Sequence, residues 1–265
     1  MDKIQALPSR YPRLSPLSFV AWLTVAAVVI VSIGQVGPSF SQLADGVPGM
    51  MKLIDRMMPP NTDSEFLSRI GLRILETMQI ALAGAAIGIV LSLPIGWLAA
   101  KGVSPVGRFS YFFKAFISFL RTVPDLVWAL LFVVTVGLGA VAGTLTIIVD
   151  TIGFCGRFFA EAIESSEKDP QEALSAIGAN KVSVLVGAIL PDAAPPMINT
   201  SLFALEKAVR SSVVLGLVGA GGIGQELKAA FDLFQYANAS MIIIVIFIIV
   251  LVMEYLTDQL RSRFQ

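Results

Sequence analysis

The chain has 265 residues, 55% of them hydrophobic and only 14% charged, with a mean hydropathy of +0.79; this composition excludes an ordinary soluble domain and indicates an integral membrane protein. Nineteen basic residues balance nineteen acidic ones, so no basic excess points to nucleic acid. The absence of histidine and the single cysteine, Cys155, exclude His-ligated haem, His-containing zinc sites, Ser-His-Asp catalysis, an internal disulfide and a thiolate metal cluster.

In chain order, residues 1–16 place Lys3, Arg10 and Arg13 among three prolines and read as a flexible basic leader. A charge-free run follows from Ser18 to Ala44, apolar from Phe19 to Val36. That length suits a first membrane helix, and without a small-x-small cleavage site it reads as retained rather than as a signal peptide. Residues 37–66 are broken by Pro38, Pro48, Pro59 and Pro60 and read as an external loop, with a short interfacial helix over Met50 to Met58. From Thr77 to Ala100 there are 24 uncharged residues. Gly84, Gly88 and Gly96 in this run are small positions where helices approach closely in lipid. Helix two is expected over about residues 67–98.

A short basic loop carries Lys101, Arg108 and Lys114, and helix three follows over about 112–136. It contains Arg121 and Asp125 around Pro124, so it should kink and face protein or water rather than lipid. Gly137 to Gly143 predicts a tight turn before helix four, which carries Asp150 and Arg157. Helix five, over about 195–218, holds Glu206, Lys207 and Arg210 and must belong to the interior. Gly219-Ala-Gly221-Gly-Ile-Gly224 spells G-x-G-x-x-G, but it follows an apolar helix rather than a strand. A helix break at the membrane boundary explains it better than a dinucleotide loop. Leu233 to Met253, 21 uncharged residues, gives helix six.

Between helices four and five lies a polar bracket, residues 164–194. Asp169 is expected to cap a two-turn helix, with Pro170 at its first position and Glu172 at its third, where a carboxylate meets free N–H groups and the helix dipole. Gly178 suits the left-handed residue that ends this helix, Asn180 should cap a second one, and Pro191 should limit that second helix. Ala173, Leu174 and Ile177 share an apolar face that must pack against something. If both termini of the six-helix chain lie inside, eleven basic residues are inside, five outside and three (Arg121, Lys207, Arg210) within spans. The positive-inside rule then puts the bracket in the cytoplasm.

The bracket resembles the EAA loop of ABC importer permeases. Glu172, Ala173, Gly178, Leu190 and Pro191 fall in register with that motif, whereas Leu174 replaces its second alanine and Ala188 takes its isoleucine position. The resemblance covers about residues 70–260. It implies an all-α fold like the type I ABC importer permeases, in a bacterial inner membrane, with both termini cytoplasmic. The implied division is a leader, first helix and external loop over 1–66, a permease core over 67–260 and a tail over 261–265. In that family the loop docks on a cytoplasmic ATPase, so the expected coupling residues are Glu172, Ala173, Leu174, Ile177, Gly178, Leu190 and Pro191.

No G-x-x-x-x-G-K-[ST] motif occurs in the sequence, so ATP and Mg are expected on a partner ATPase and no cofactor in this chain. One bracket and no internal repeat call for two permease copies, most simply a homodimer, engaging two ATPase copies. Residues 153–164, 210–224 and 121–132 look like the corresponding segments of phosphonate-type permeases. That likeness implies uptake of phosphonates, or of phosphite, delivered by a periplasmic or lipid-anchored binding protein; methionine-type permeases share the glycine-rich stretch more loosely. Arg121, Asp150, Arg157, Glu206 and Arg210 are candidate pathway residues, since cations in a dry path would stabilise an anion. The competing reading is local pairing, because Glu206 sits four residues before Arg210 and Arg121 four before Asp125. No catalytic or metal-binding constellation is present. A secondary transporter would show repeated halves and a mid-membrane break, and the sequence shows neither.

Overall fold

A computed structural model describes residues 15–37 and 40–263; the leader residues Lys3, Arg10 and Arg13 lie outside them. The described residues form α-helices and no strand. Two compact units emerge, Met1–Asp55 and Arg56–Gln265. In the first, α1 (Pro16–Val36) starts as expected, with Ser15 accepting a hydrogen bond from the Ser18 N–H and Pro16 at the first position. The prolines of the expected loop do not prevent a second helix. α2 (Phe40–Met57) runs through Pro48, because Leu43, Val47, Met50, Met51 and Ile54 recur at helical spacing and outweigh one missing ladder bond.

The second unit opens with α3 (Ser64–Ala99), capped by Asp63, which accepts from the Phe66 N–H. It lies directly against α6 (Ala140–Ser165), and the three glycines make this possible. A Cβ at Gly84 would stand 2.7 Å from Ile147 Cβ, one at Gly88 2.5 Å from Thr151 Cβ, and one at Gly96 2.8 Å from Phe159 Cβ. The small positions are therefore the seam of the two helices.

Between them the expected kink is a full break. α4 (Ser110–Thr122) and α5 (Asp125–Val136) meet at 87°, with Val123 and Pro124 as their caps. Pro124 donates no N–H, and it disfavours helical geometry in Val123 before it, so the ladder restarts. The chain thus contains a broken helix where the sequence suggested none. Gly137 and Gly139, at φ 93° and 124°, make the tight turn into α6.

After α6 come α7 (Lys168–Ala176), α8 (Lys181–Val184), a π-helical turn (Leu185–Ile189) and α9 (Leu190–Gly216). α8, the π turn and α9 form one continuous helix, Lys181–Gly216. Gly219, Gly221 and Gly222, all at positive φ, then reverse the chain into α10 (Ile223–Asp232) and α11 (Tyr236–Arg261). The glycine turn is pinned at two points: the Gly139 N–H donates to Gly219 O, and the Ile223 N–H donates to Thr77 Oγ1 on α3. It joins two helices, as expected of a helix break. Among the described residues, five helices are long and apolar enough to cross a membrane, six if α4 and α5 count as one broken span.

Candidate functional site

The bracket splits into one short helix and the end of a long one. α7 begins earlier than Asp169 would set it: Glu167 is the cap residue, with no side-chain cap bond, and Asp169 sits in the first turn. The start is held from a distance instead. The Glu167 N–H donates to Asp192 Oδ2 at 2.8 Å, and Gln171 Nε2 donates to Glu167 O at 2.8 Å and Ser166 Oγ at 2.9 Å. Asp192 carried no motif in the sequence, because a cap supplied from another helix has no local spacing.

The end of α7 is as read. Gly178 has φ 85°, its N–H donates to Ser175 O at 3.0 Å, and the Ala179 N–H donates to Leu174 O at 3.1 Å. These are the two bonds of a Schellman cap. Asn180 Oδ1 then accepts from the Ser183 N–H at 2.8 Å and caps α8. Pro191 does not end that helix. The π turn falls immediately before it, where a regular helix would press the proline ring against the Gly187 carbonyl.

The expected apolar face of α7 divides. Leu174 turns inward onto a cluster that includes Phe159, Leu185 and Ile189, and a Cβ on Gly187 would stand 3.3 Å from its Cδ1. Glu172 and Ala173 are exposed, and Ile177 is 81% exposed. α7 is thus held by one side chain and two caps while presenting Glu172, Ala173 and Ile177 outward.

The second group of expected residues lies along α4–α6 and α9. Glu206 is buried and pairs with Arg210, with Arg261 Nη2 at 3.9 Å on its other oxygen. Arg157 pairs with Glu161 at 2.7 Å on the same helix. Both arginines therefore have local partners. Arg121 and Asp125 do not pair, because the helix breaks between them. Asp125 Oδ2 instead accepts from Ser211 Oγ at 3.4 Å, and among the described residues no ion pair holds Arg121. Asp150 is taken by a residue outside the expected set: Lys207 Nζ donates to Oδ1 at 2.7 Å and Oδ2 at 2.9 Å. The same ammonium lies 5.3 Å from the Phe154 ring centre.

The structure brings Arg121, Asp125, Asp150, Lys207 and Ser211 together and leaves Arg157 apart. No group of three or more Asp, Glu or Cys side chains suited to a metal occurs among the described residues.

Residues 92–265 match the family of binding-protein-dependent transport system inner membrane components. The chain belongs to this family. It is a multi-pass inner-membrane permease component and not an enzyme. It is 37% identical over 215 residues to a phosphate-import permease protein of Mycolicibacterium smegmatis, a match that takes 80% of this chain but 40% of that one. A phosphite transport system permease protein of Stutzerimonas stutzeri is 34% identical over 242 residues, covering 91% of this chain and 87% of its own. Among solved structures, an inward-facing methionine ABC transporter superposes with a TM-score of 0.66 at 22% identity, over 77% of this chain and all of that one. That likeness establishes the type I importer permease fold. The dinucleotide-loop reading of Gly219–Gly224 has no support in it, and the glycine turn is part of the permease.

Proposed function

We propose that this permease imports phosphonates or a closely related phosphorus oxyanion such as phosphite, driven by ATP hydrolysis on a separate cytoplasmic ATPase to which α7 docks. The observation that carries the coupling reading is the geometry of α7: a short helix fixed at both ends and along one side, with Glu172, Ala173 and Ile177 facing out. A helix so constrained transmits a push without fraying, and an apolar face left uncovered by its own chain fits a groove on a partner. Leu174 holds this lever to the membrane body and Gly178 shapes its return, while Leu190 and Pro191 lie along the helix it packs against. Two permease copies, two ATPase copies binding ATP and Mg, and a periplasmic or lipid-anchored binding protein complete the assembly. The basic asymmetry supports placing the coupling loop, 164–194 within a core of 67–260, on the cytoplasmic side.

The substrate reading draws on the phosphonate-type segments around Arg121, Glu161 and Arg210 and on relatives named for phosphate and phosphite. All three compounds present a tetrahedral phosphorus with anionic oxygens. The test is reconstitution with the ATPase and binding protein in proteoliposomes, comparing ATP hydrolysis and uptake across methylphosphonate, aminoethylphosphonate, phosphite, phosphate and methionine. Stimulation by methionine alone would refute the substrate class, and uptake in the absence of ATP would favour a secondary transporter.

A further inference from the structure

The ion pairs near Arg121, Arg157 and Arg210 are not alike, and Lys114–Glu164 ties α4 to α6 close to Arg157. Arg157–Glu161 and Arg210–Glu206 join residues four apart on one helix, and Arg261 reaches the same Glu206 carboxylate from α11. Lys207–Asp150 instead joins α9 to α6, and both carboxylate oxygens accept from one ammonium. It is also open: the side chains are 34% and 21% exposed. Charged side chains in membrane-spanning helices face the bundle interior or a water-filled cavity rather than lipid, so a partly exposed pair of this kind fits the lining of a polar path.

Beside it stands an uncommitted cation. Arg121 lies at the α4–α5 break, and a Cβ on Gly153 would be 3.0 Å from its Cγ, which sets the arginine stem one turn from Asp150 on α6. Arg121 and Asp125 are near enough to act electrostatically on Asp150. Asp125 is engaged by Ser211, whereas no carboxylate among the described residues holds Arg121.

Resting on the reading of this chain as a phosphorus-oxyanion importer, we propose that Lys207 is the cation that receives the anion in the membrane, with Asp150 as its resting counter-ion and Arg121 as the second donor. A phosphonate offers two oxygens on one centre, as the Asp150 carboxylate does. Exchange of one for the other keeps the ammonium paired throughout, and so avoids the cost of a bare charge in a dry setting. Arg121 adds a planar fork that holds the third phosphoryl oxygen and shares one of the other two. The displaced Asp150 carboxylate repels the anion onward and recovers Lys207 when it leaves. This role differs from that of Glu206–Arg210, which both lie on α9 and are clamped by Arg261.

The test uses the full importer in proteoliposomes, with methylphosphonate uptake, coupled ATP hydrolysis and copurification of the ATPase as readouts. Lys207→Gln should lower uptake about tenfold or more, the range for losing a hydrogen bond to a charged group, and Lys207→Arg should restore most of it. The Asp150→Asn/Lys207→Gln double variant leaves no unpaired charge, so it should assemble with the ATPase even if the single variant does not. Continued loss of uptake in that assembled double variant supports the proposal. Recovery of wild-type uptake in it would reduce the pair to a structural tie and overturn the proposal. Wild-type vesicles that take up none of methylphosphonate, phosphite or phosphate would overturn the substrate reading instead.

Discussion

Replacing Gly178 with valine tests the lever at the point where its geometry is most demanding. Gly178 adopts φ 85°, and a Cβ there would meet nothing within 4 Å, so the substitution adds backbone strain without a clash. The left-handed conformation costs an ordinary residue about 1–2 kcal/mol, and a β-branched one sits at the upper end or beyond. Both Schellman bonds, Gly178 N–H to Ser175 O and Ala179 N–H to Leu174 O, depend on that conformation. A cost of about 1–2 kcal/mol lowers the population of the capped state by a factor of roughly 5–30. The permease body does not rest on these bonds: its buried clusters are built from α3, α5, α6, α8, the π turn and α9, and Leu174 and Ala179 pack only on the edge of one of them. Gly178→Val should therefore insert and remain folded while its ATPase copurifies poorly, or hydrolyses ATP without matching uptake. Gly178→Ala should do the same more weakly. Wild-type copurification and uptake for Gly178→Val would refute the coupling role of α7.

Gly88→Ala should lower the thermal midpoint in detergent, because its Cβ would stand 2.5 Å from Thr151 Cβ and overpacking costs about 1–3 kcal/mol; Gly71→Ala on the same helix, with nothing within 4 Å, should leave it unchanged or raise it. Arg210→Ala should destabilise the protein more than Glu206→Gln, since the first leaves a buried carboxylate with only Arg261 at 3.9 Å, while the second leaves two cations with access to solvent; equal thermal midpoints would contradict the burial of Glu206. Cysteines introduced at exposed Ser175 and Asp232 should react with a membrane-impermeant reagent from opposite sides, cytoplasmic and external, with Cys155 silent because it is fully buried. Labelling of both from one side would reverse the placement of the coupling loop.

Where the chemistry is local, the sequence is legible. Asn180 as a cap, Gly178 as a left-handed terminator, Gly84, Gly88 and Gly96 as a helix seam and Glu206–Arg210 as a pair all depend on residues within one turn or on the size of one side chain. Where partners come from another helix, spacing carries no signal. Asp192 replaces Asp169 at the start of α7 from 25 positions away, and Lys207 finds Asp150 at a separation of 57. Two proline readings failed for opposite reasons. Pro48 was overridden by apolar periodicity in α2, and Pro191 was accommodated by one widened turn. Pro124, expected only to kink a helix, broke it, because Val123 gave up its helical conformation as well.

The continuity across Pro191 changes what the coupling loop is attached to. Had the second helix ended there, motion of α7 would have been relayed through a loop. Instead Lys181–Gly216 is a single helix of 36 residues, roughly 54 Å long at 1.5 Å per residue. Its N-terminal end carries Gly187, over which Leu174 packs, and Asp192, which holds the start of α7. The same helix carries Lys207 opposite Asp150, and at its far end Gly216 leads into the glycine turn that is bonded to Thr77 and Gly139. If α7 is where the ATPase docks, as proposed, its displacement acts on the element that positions the charged pair and the glycine turn, through packed side chains and hydrogen bonds. The π turn at Leu185–Ile189 widens the ladder where Gly187 meets Leu174, and Pro195 and Pro196 interrupt it again before Lys207. On the proposed coupling reading, straightening or widening at these irregular turns would rotate Lys207 relative to Asp150, so that a push on a short surface helix changes a charge pairing among the spanning helices.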